Sequence, residues 1–303
     1  MALKTDVISY GKNVYGHEEI NAILKTLKTT TQMGKSVEIF EKKICKFFSK
    51  RYGLMVNSGT SALILAIKSL NIPKKSEIIT PGLNFGTAVS AIILNDLIPI
   101  FVDVEKDTLQ INPELIEQKI TKKTKALLIP NLIGNIPNWL KIKKIANKYK
   151  LKLIEDSADT LGASFGKKTT GHFSDVSITS FYGSHIVSCA GNGGILLTND
   201  KQVYLKSKIL RSWGRASSLI KDSENINKRL SIKLKGYDYD KKFVFQGIGY
   251  NFEPSEIGAA FGIKQLEKLK KFNKKRNENF QMHFKFFKKL NQYFIVPKVD
   301  SRV

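Results

Sequence analysis

The stretch "GLMVNSGTSALILAIKSL", residues 53–70, decides the fold. It begins with an apolar run too short for a helix. Asn57, Ser58, Gly59 and Thr60 then form a turn of small, hydrogen-bonding residues, and "SALILAIKSL" follows with helical length. The same strand–turn–helix rhythm continues downstream. "SEIITPG" precedes "GTAVSAIILN", and then come "LIPIFVDV", "PELIEQKI", "KALLIP", "NWLKIKKIANKYK" and "LKLIEDS". Strands alternating with helices predict an α/β fold, a mostly parallel sheet flanked by crossover helices. The β-rich piece "GASFGKKTTGHFSDVSITSF" (162–181) breaks that rhythm and predicts a mixed sheet. Residues 216–245 are polar and irregular and read as a long loop or a hairpin insertion. From Pro254 onward, "PSEIGAAFGIKQLEKLKKFNKKRNENFQMHFKFFKKL" predicts one long helix or two, with the proline at the first helical position.

The totals narrow the class. With 303 residues, 42% hydrophobic and 25% charged, the chain has the composition of a soluble globular protein. The N-terminus lacks the apolar core of a secretion signal, and no apolar run is long enough to span a bilayer. A cytoplasmic protein with no membrane partner is expected. Cys45 and Cys189 are the two cysteines. They exclude a disulfide framework and a multi-cysteine metal site built from this chain, so no metal is expected. The net charge is +24, and all but six of the 50 basic residues are lysines, spread through every segment. Without a recognised nucleic-acid motif or basic tail, this reads as a lysine-rich bias that also suits an anionic substrate, not as a nucleic-acid interface.

Four places carry chemistry. Gly59 and Thr60 stand where a helix N-terminus offers free N–H groups to a phosphate, although Ser and Thr also cap ordinary helices. Asp156 in "LKLIEDSAD" ends an apolar strand, where a carboxylate can pair with a protonated heterocyclic nitrogen or simply cap a turn. Phe85 in "TPGLNFGTA" can stack on a flat cofactor or pack in the core. Ser180 and His185 lie in "SFYGSHIVSCAGNGG" (180–194), between two strand-like runs.

The order "NSGTSAL … IEDSADTLGA … SFYGSH … GNGG … GYN" resembles the large domain of the fold-type-I pyridoxal-phosphate enzymes, and more narrowly the DegT-type nucleotide-sugar aminotransferases. The resemblance covers nearly the whole chain. It implies that Gly59, Thr60 and Ser180 hold the cofactor phosphate and that Phe85 stacks on the pyridine ring. Asp156 would pair with the ring nitrogen, and Asp159 would support the ring's other polar edge. Asn251 is similar to the residue that reaches the phosphate of a neighbouring subunit's cofactor, which implies a homodimer. The resemblance places residues 1–290 in the large domain and its connecting helices. It makes 291–303 the start of a small C-terminal domain that is largely missing.

One departure decides the activity expected. Aminotransferases of this family carry a lysine at the position of His185, where it binds the cofactor covalently. Lys167 and Lys168 lie upstream of the strand entering the loop and are poor substitutes. A histidine there resembles the branch of 3-dehydratases that remove the C3 hydroxyl from a nucleotide-linked 4-keto-6-deoxyhexose, as in deoxysugar and lipopolysaccharide O-antigen biosynthesis. "RSWGR" (211–215) and "KGYDYDKKFVFQGIGYN" (235–251) also look like that branch. His185 would then be the acid–base group, working with pyridoxal or pyridoxamine phosphate. In the iron–sulfur subtype cysteines cluster just after "WGR", whereas "ASSLIKDSENIN" stands here. This favours the subtype that takes its amine from a donor such as glutamate. Asn192, where a Glu before Gly-Gly is usual, and Glu253, where a basic residue is common, depart from the pattern. The alternatives are a nucleotide-sugar aminotransferase, or an inactive truncated homologue with a binding role.

Overall fold

The computed structural model describes residue 12 and residues 14–221, 225–230 and 232–303. The first eleven residues, on which the expectation of no secretion signal rests, lie outside them, as do residues 222–224 of the cysteine-free stretch. Helices α1 (His17–Leu27) and α2 (Lys35–Phe48) lead into β1 (Tyr52–Val56), α3 (Gly59–Ser69), β2 (Glu77–Pro81), α4 (Gly86–Ile93) and β3 (Ile98–Val102). A short α5 (Pro113–Ile116) precedes β4 (Thr124–Pro130), and α6 (Trp139–Tyr149) leads to β5 (Lys152–Asp156). A small hairpin of β6 (Ser164–Phe165) and β7 (Lys168–Thr169) comes before β8 (Val176–Ser180) and β9 (Gly194–Thr198). Then follow α7 (Lys201–Arg211), a four-residue α8 (Ile226–Arg229), and the hairpin of β10 (Ile232–Leu234) and β11 (Tyr237–Tyr239). The last element is α9 (Glu256–Lys288).

The main sheet has the order β1-β9-β8-β5-β4-β2-β3. Strands β3, β2, β4, β5 and β8 run parallel. β9 is antiparallel to both β8 and β1, so β1 points the same way as those five. The carboxyl ends of six strands therefore share one edge, which is where open α/β sheets place ligands. The sheet is mixed as predicted, but β9 makes it so and not the 162–181 piece. Within that piece β6 and β7 pair apart from the main sheet, and β8 joins it in parallel. The loop from β8 to β9 holds no crossover helix, so the chain returns antiparallel.

Both faces of the sheet are covered, and this explains why its strands read as continuous apolar runs. Leu54, Leu128, Ile154, Ile178 and Leu196 pack under α3, α4 and α7. On the other face Leu127, Ile129 and Leu153 meet Trp139 and Ile142 of α6. Met55, Ile195 and Leu197 meet Phe40, Ile44 and Phe48 of α2, with Leu266 and Leu269 of α9.

The stretch after Pro254 forms a single helix, α9. Its cap is Ser255, whose Oγ accepts the Gly258 N–H at 3.1 Å, so Pro254 precedes the cap and does not occupy the first turn. A serine oxygen at the cap satisfies a free amide that proline could not. Next to it the buried Glu256 carboxylate accepts N–H groups of Gly34 (2.8 Å), Ser36 (2.5 Å) and Val37 (3.2 Å). A carboxylate on the amide end of α2 is favoured by that helix's dipole and pins α2 to α9. Residues beyond the expected 290/291 boundary lie back against the large unit. Lys298 donates its N–H to the Asp107 carbonyl (2.7 Å), and the Arg302 guanidinium sits 4.4 Å from the Phe165 ring centroid.

Candidate active site

Register assembles the first part of the site. Gly194 pairs with Val56 on one side and with Ser180 on the other, which sets the Asn57–Thr60 turn against the end of β8. Ser58 caps α3, its Oγ accepting the Ser61 N–H at 3.1 Å, while Ser61 Oγ donates to Asn57 Oδ1 at 2.6 Å. Among the described residues no acceptor is bonded to the Gly59 and Thr60 amides, which stand at the positive end of α3. A Cβ at Gly59 would lie 2.8 Å from Ser180 Cβ, so only glycine allows the helix start to come this close to β8. Ser180, half-buried, accepts the Tyr182 N–H at 3.3 Å through its Oγ.

Phe85 follows β2 as the N-cap residue of α4 and is 73% exposed. It is not a core residue. An aromatic side chain left open beside a strand end is an available stacking surface.

β5 ends in two carboxylates. Glu155 is buried and fully engaged, accepting from Asn131 Nδ2 (2.9 Å), Ser157 Oγ (2.8 Å) and the Gly171 N–H (2.9 and 2.8 Å to its two oxygens). Asn131 itself accepts from Trp139 Nε1 at 2.9 Å. Asp156 is half-buried, and among the described residues its carboxylate accepts one hydrogen bond, from the Ala158 N–H at 3.0 Å. Burial pushes this carboxyl up to about 7 against the lowering effect of that N–H, and the charges of Asp159 and Glu155 add to the rise.

His185 projects from the loop between β8 and β9. Buried Phe181, Val187 and Cys189 anchor that loop in the core, and Phe181 N–H donates to the Gly193 carbonyl at 2.9 Å. The half-buried imidazole places Nδ1 3.6 Å from Asp159 Oδ1, with the Tyr182 ring edge-on to it. Asp159 Oδ2 accepts the Ile133 N–H at 3.1 Å. Gly59, Thr60, Phe85, Asp156, Asp159, Ser180 and His185 all stand on the strand-end edge. Asn251 does not join them: it is exposed and forms a bridge with Ser212. Its segment comes near the site through Phe252, whose carbonyl accepts the Asn57 N–H at 3.1 Å. A separate cleft of about 1320 Å³, between α2, β1 and residues 211–221, shares none of these residues. Lys167 and Lys168 are exposed on the β6–β7 hairpin.

Sequence reading missed Glu155, Asn131 and Ile133, which brace this edge. The available signal was "NLIGN" (131–135), a polar, glycine-containing turn straight after an apolar strand.

The chain is similar to the lipopolysaccharide biosynthesis protein RfbH of Salmonella typhimurium, with 32% identity over 98% of this chain and 71% of the relative. It is similar also to the UDP-4-amino-4,6-dideoxy-N-acetyl-beta-L-altrosamine transaminase of Campylobacter jejuni, with 30% identity over 97% and 73% of the two chains. The solved structure of E. coli GDP-4-keto-6-deoxy-D-mannose-3-dehydratase, which holds hydrated pyridoxal phosphate, superimposes with a TM-score of 0.83 at 31% identity. That match covers 92% of this chain and 72% of the other. Dehydratases and transaminases of nucleotide sugars thus both stand among its relatives. With the family model matching residues 13–302, the chain belongs to the DegT/DnrJ/EryC1/StrS aminotransferase family.

Proposed function

We propose that this chain is a pyridoxal/pyridoxamine-phosphate-dependent 3-dehydratase acting on a nucleotide-linked 4-keto-6-deoxyhexose, with no iron–sulfur cluster and an amino donor such as glutamate. The observation that carries this reading is His185, not lysine, on the loop between β8 and β9 and beside Asp159. Its setting is a cytoplasmic homodimer in deoxysugar synthesis.

The residues fit the cofactor. The Gly59 and Thr60 amides, with Ser180, suit a phosphate, and exposed Phe85 suits the face of an aromatic ring. Asp156, whose carboxylate is desolvated and, among the described residues, has no cation beside it, suits a protonated ring nitrogen, because that charge would offset the burial that now raises it. Asp159, three residues on from Asp156 along the same edge, would support the ring's other polar edge. Asn251 would serve the phosphate of the partner subunit's site. Bound there, the cofactor supplies an amine for the C4 ketone and a ring that withdraws electrons.

The chain's own part is acid–base work. His185 has no reactive amine with which to capture the cofactor covalently. Its imidazole removes the proton whose loss lets the C3 hydroxyl leave, and it can return a proton to that hydroxyl. Replacing it tests the reading. His185→Asn keeps size and some hydrogen bonding, so dehydration should fall ~10²–10⁴-fold while cofactor affinity changes little. His185→Lys should create a borohydride-reducible link between the loop and pyridoxal phosphate and suppress dehydration. Full dehydratase activity in His185→Asn would return the histidine to an ordinary loop residue.

A further inference from the structure

Ile133 has φ 52° and ψ 31°, a left-handed conformation that a β-branched residue rarely adopts. Its surroundings hold it there. Buried Gln110 brackets the preceding residue, Nε2 donating to the Leu132 carbonyl (3.0 Å) and Oε1 accepting the Leu132 N–H (3.1 Å). Asn135 Nδ2 donates to the Thr108 carbonyl (3.1 Å) and the Lys298 carbonyl (3.0 Å). Backbone strain kept in place by such over-determination is characteristic of functional sites. What the strain achieves is visible: it aims the Ile133 N–H at Asp159 Oδ2, 3.1 Å away. The other oxygen, Oδ1, is left facing His185 Nδ1 at 3.6 Å, longer than a hydrogen bond, and catalytic contacts often tighten into hydrogen bonds only when substrate binds. Among the described residues, His185 Nε2 is bonded to nothing.

We infer that Asp159 is the positioning residue for His185, and that the Ile133 amide fixes which of its oxygens does the positioning. Asp159 Oδ1 accepts a proton carried on Nδ1, so the neutral ring keeps Nε2 as its unprotonated, basic nitrogen. A carboxylate that selects a histidine tautomer in this way also stabilises the imidazolium formed when the base takes its proton. The assignment of a catalytic consequence rests on the reading of His185 as the base. The tautomer itself does not.

The test uses the whole chain with ¹⁵N-labelled histidine, and a long-range ¹H–¹⁵N correlation spectrum recorded at a pH where His185 is neutral. The chain has four histidines, and His185→Asn identifies the resonances that belong to the loop. In the unaltered protein the His185 proton should sit on Nδ1. Asp159→Asn sharpens the test, because the Ile133 N–H holds the amide oxygen and leaves the NH₂ facing Nδ1. A donor at that place requires Nδ1 to accept, so the proton should move to Nε2. Dehydration should then fall by ~10²–10⁴-fold, as it does when an acid–base histidine is held in the wrong tautomer. An Nε2–H tautomer in the unaltered protein overturns the pairing whether or not the variant folds. An unchanged tautomer in folded Asp159→Asn overturns it as well. If the tautomer switches as expected while His185→Asn retains full activity, the pairing stands and the role of His185 as the base is what fails.

Discussion

Glu155 and Asp156 are consecutive residues of β5, and the protein treats their carboxylates in opposite ways. Glu155 lies among donors from three other residues, Asn131, Ser157 and Gly171, and the Asn131 contact continues to Trp139. Its negative charge also partly offsets the burial that lowers the Lys50 ammonium to about 8. Asp156, one residue on and facing the other way, has the Ala158 N–H and two neighbouring negative charges. A buried carboxylate is tolerated when its oxygens are satisfied and is costly when they are not. The first residue therefore belongs to the framework, and the second is held in readiness for a cation that the proposed cofactor would bring.

The largest effect expected from breaking this contrast lies on the framework side. Glu155→Gln keeps the shape but turns an NH₂ toward at least one of three donors. Chemical denaturation should show a loss of about 2–3 kcal/mol, from donors left unsatisfied. A variant as stable as the parent would remove Glu155 from the framework.

Asp156→Asn should do the reverse to stability and more to binding. With its carboxyl raised to about 7, Asp156 contributes stability that is fully present below about pH 4 and is lost as pH rises through about 7. Cofactor-free Asp156→Asn should lack this loss and be more stable than the parent above pH 7, by on the order of 2 kcal/mol. Its cofactor affinity should fall roughly 10- to 100-fold, the worth of a charge-assisted hydrogen bond. Thermal melts across pH and fluorescence titration read the two halves separately. Lower stability together with unchanged affinity would mean that Asp156 is a structural carboxylate like its neighbour.

The smallest effect should come from Phe85→Ala. An exposed N-cap phenylalanine contributes little to folding, so stability should move by less than about 0.5 kcal/mol. Loss of a stacked ring should weaken cofactor binding by roughly 2- to 10-fold. A melt lowered by several degrees would instead place Phe85 in the packing.

The contrast also marks what could be read from the sequence. The strand–turn–helix alternation was legible because both faces of the sheet are buried, so each strand is an apolar run closed by a turn. The placing of Gly59, Asp156, Ser180 and His185 on one edge of the sheet was legible because each sits at a strand end or in the loop that follows one, where sequence position and place in the fold coincide. The direction of β9 was not, since "GILLT" reads the same whichever way it runs. Glu155 was hidden for a different reason: its partners Asn131 and Gly171 are distant in sequence and meet it only through the packing of β4 and the hairpin loop. The Ile133 amide was hidden because a backbone conformation at a β-branched residue leaves no trace in composition. Pro254 was misplaced by two residues, because the serine beside it is the better cap and the helix starts at Glu256.

The most direct measurement of the central claim is the mass of the product. The full chain is incubated with pyridoxamine phosphate, glutamate and a panel of nucleotide-linked 4-keto-6-deoxyhexoses. With His185 as the acid–base group, one of these sugars should lose its C3 oxygen without gaining nitrogen. A product that keeps that oxygen and carries a new amine would contradict the account and identify the chain as an aminotransferase.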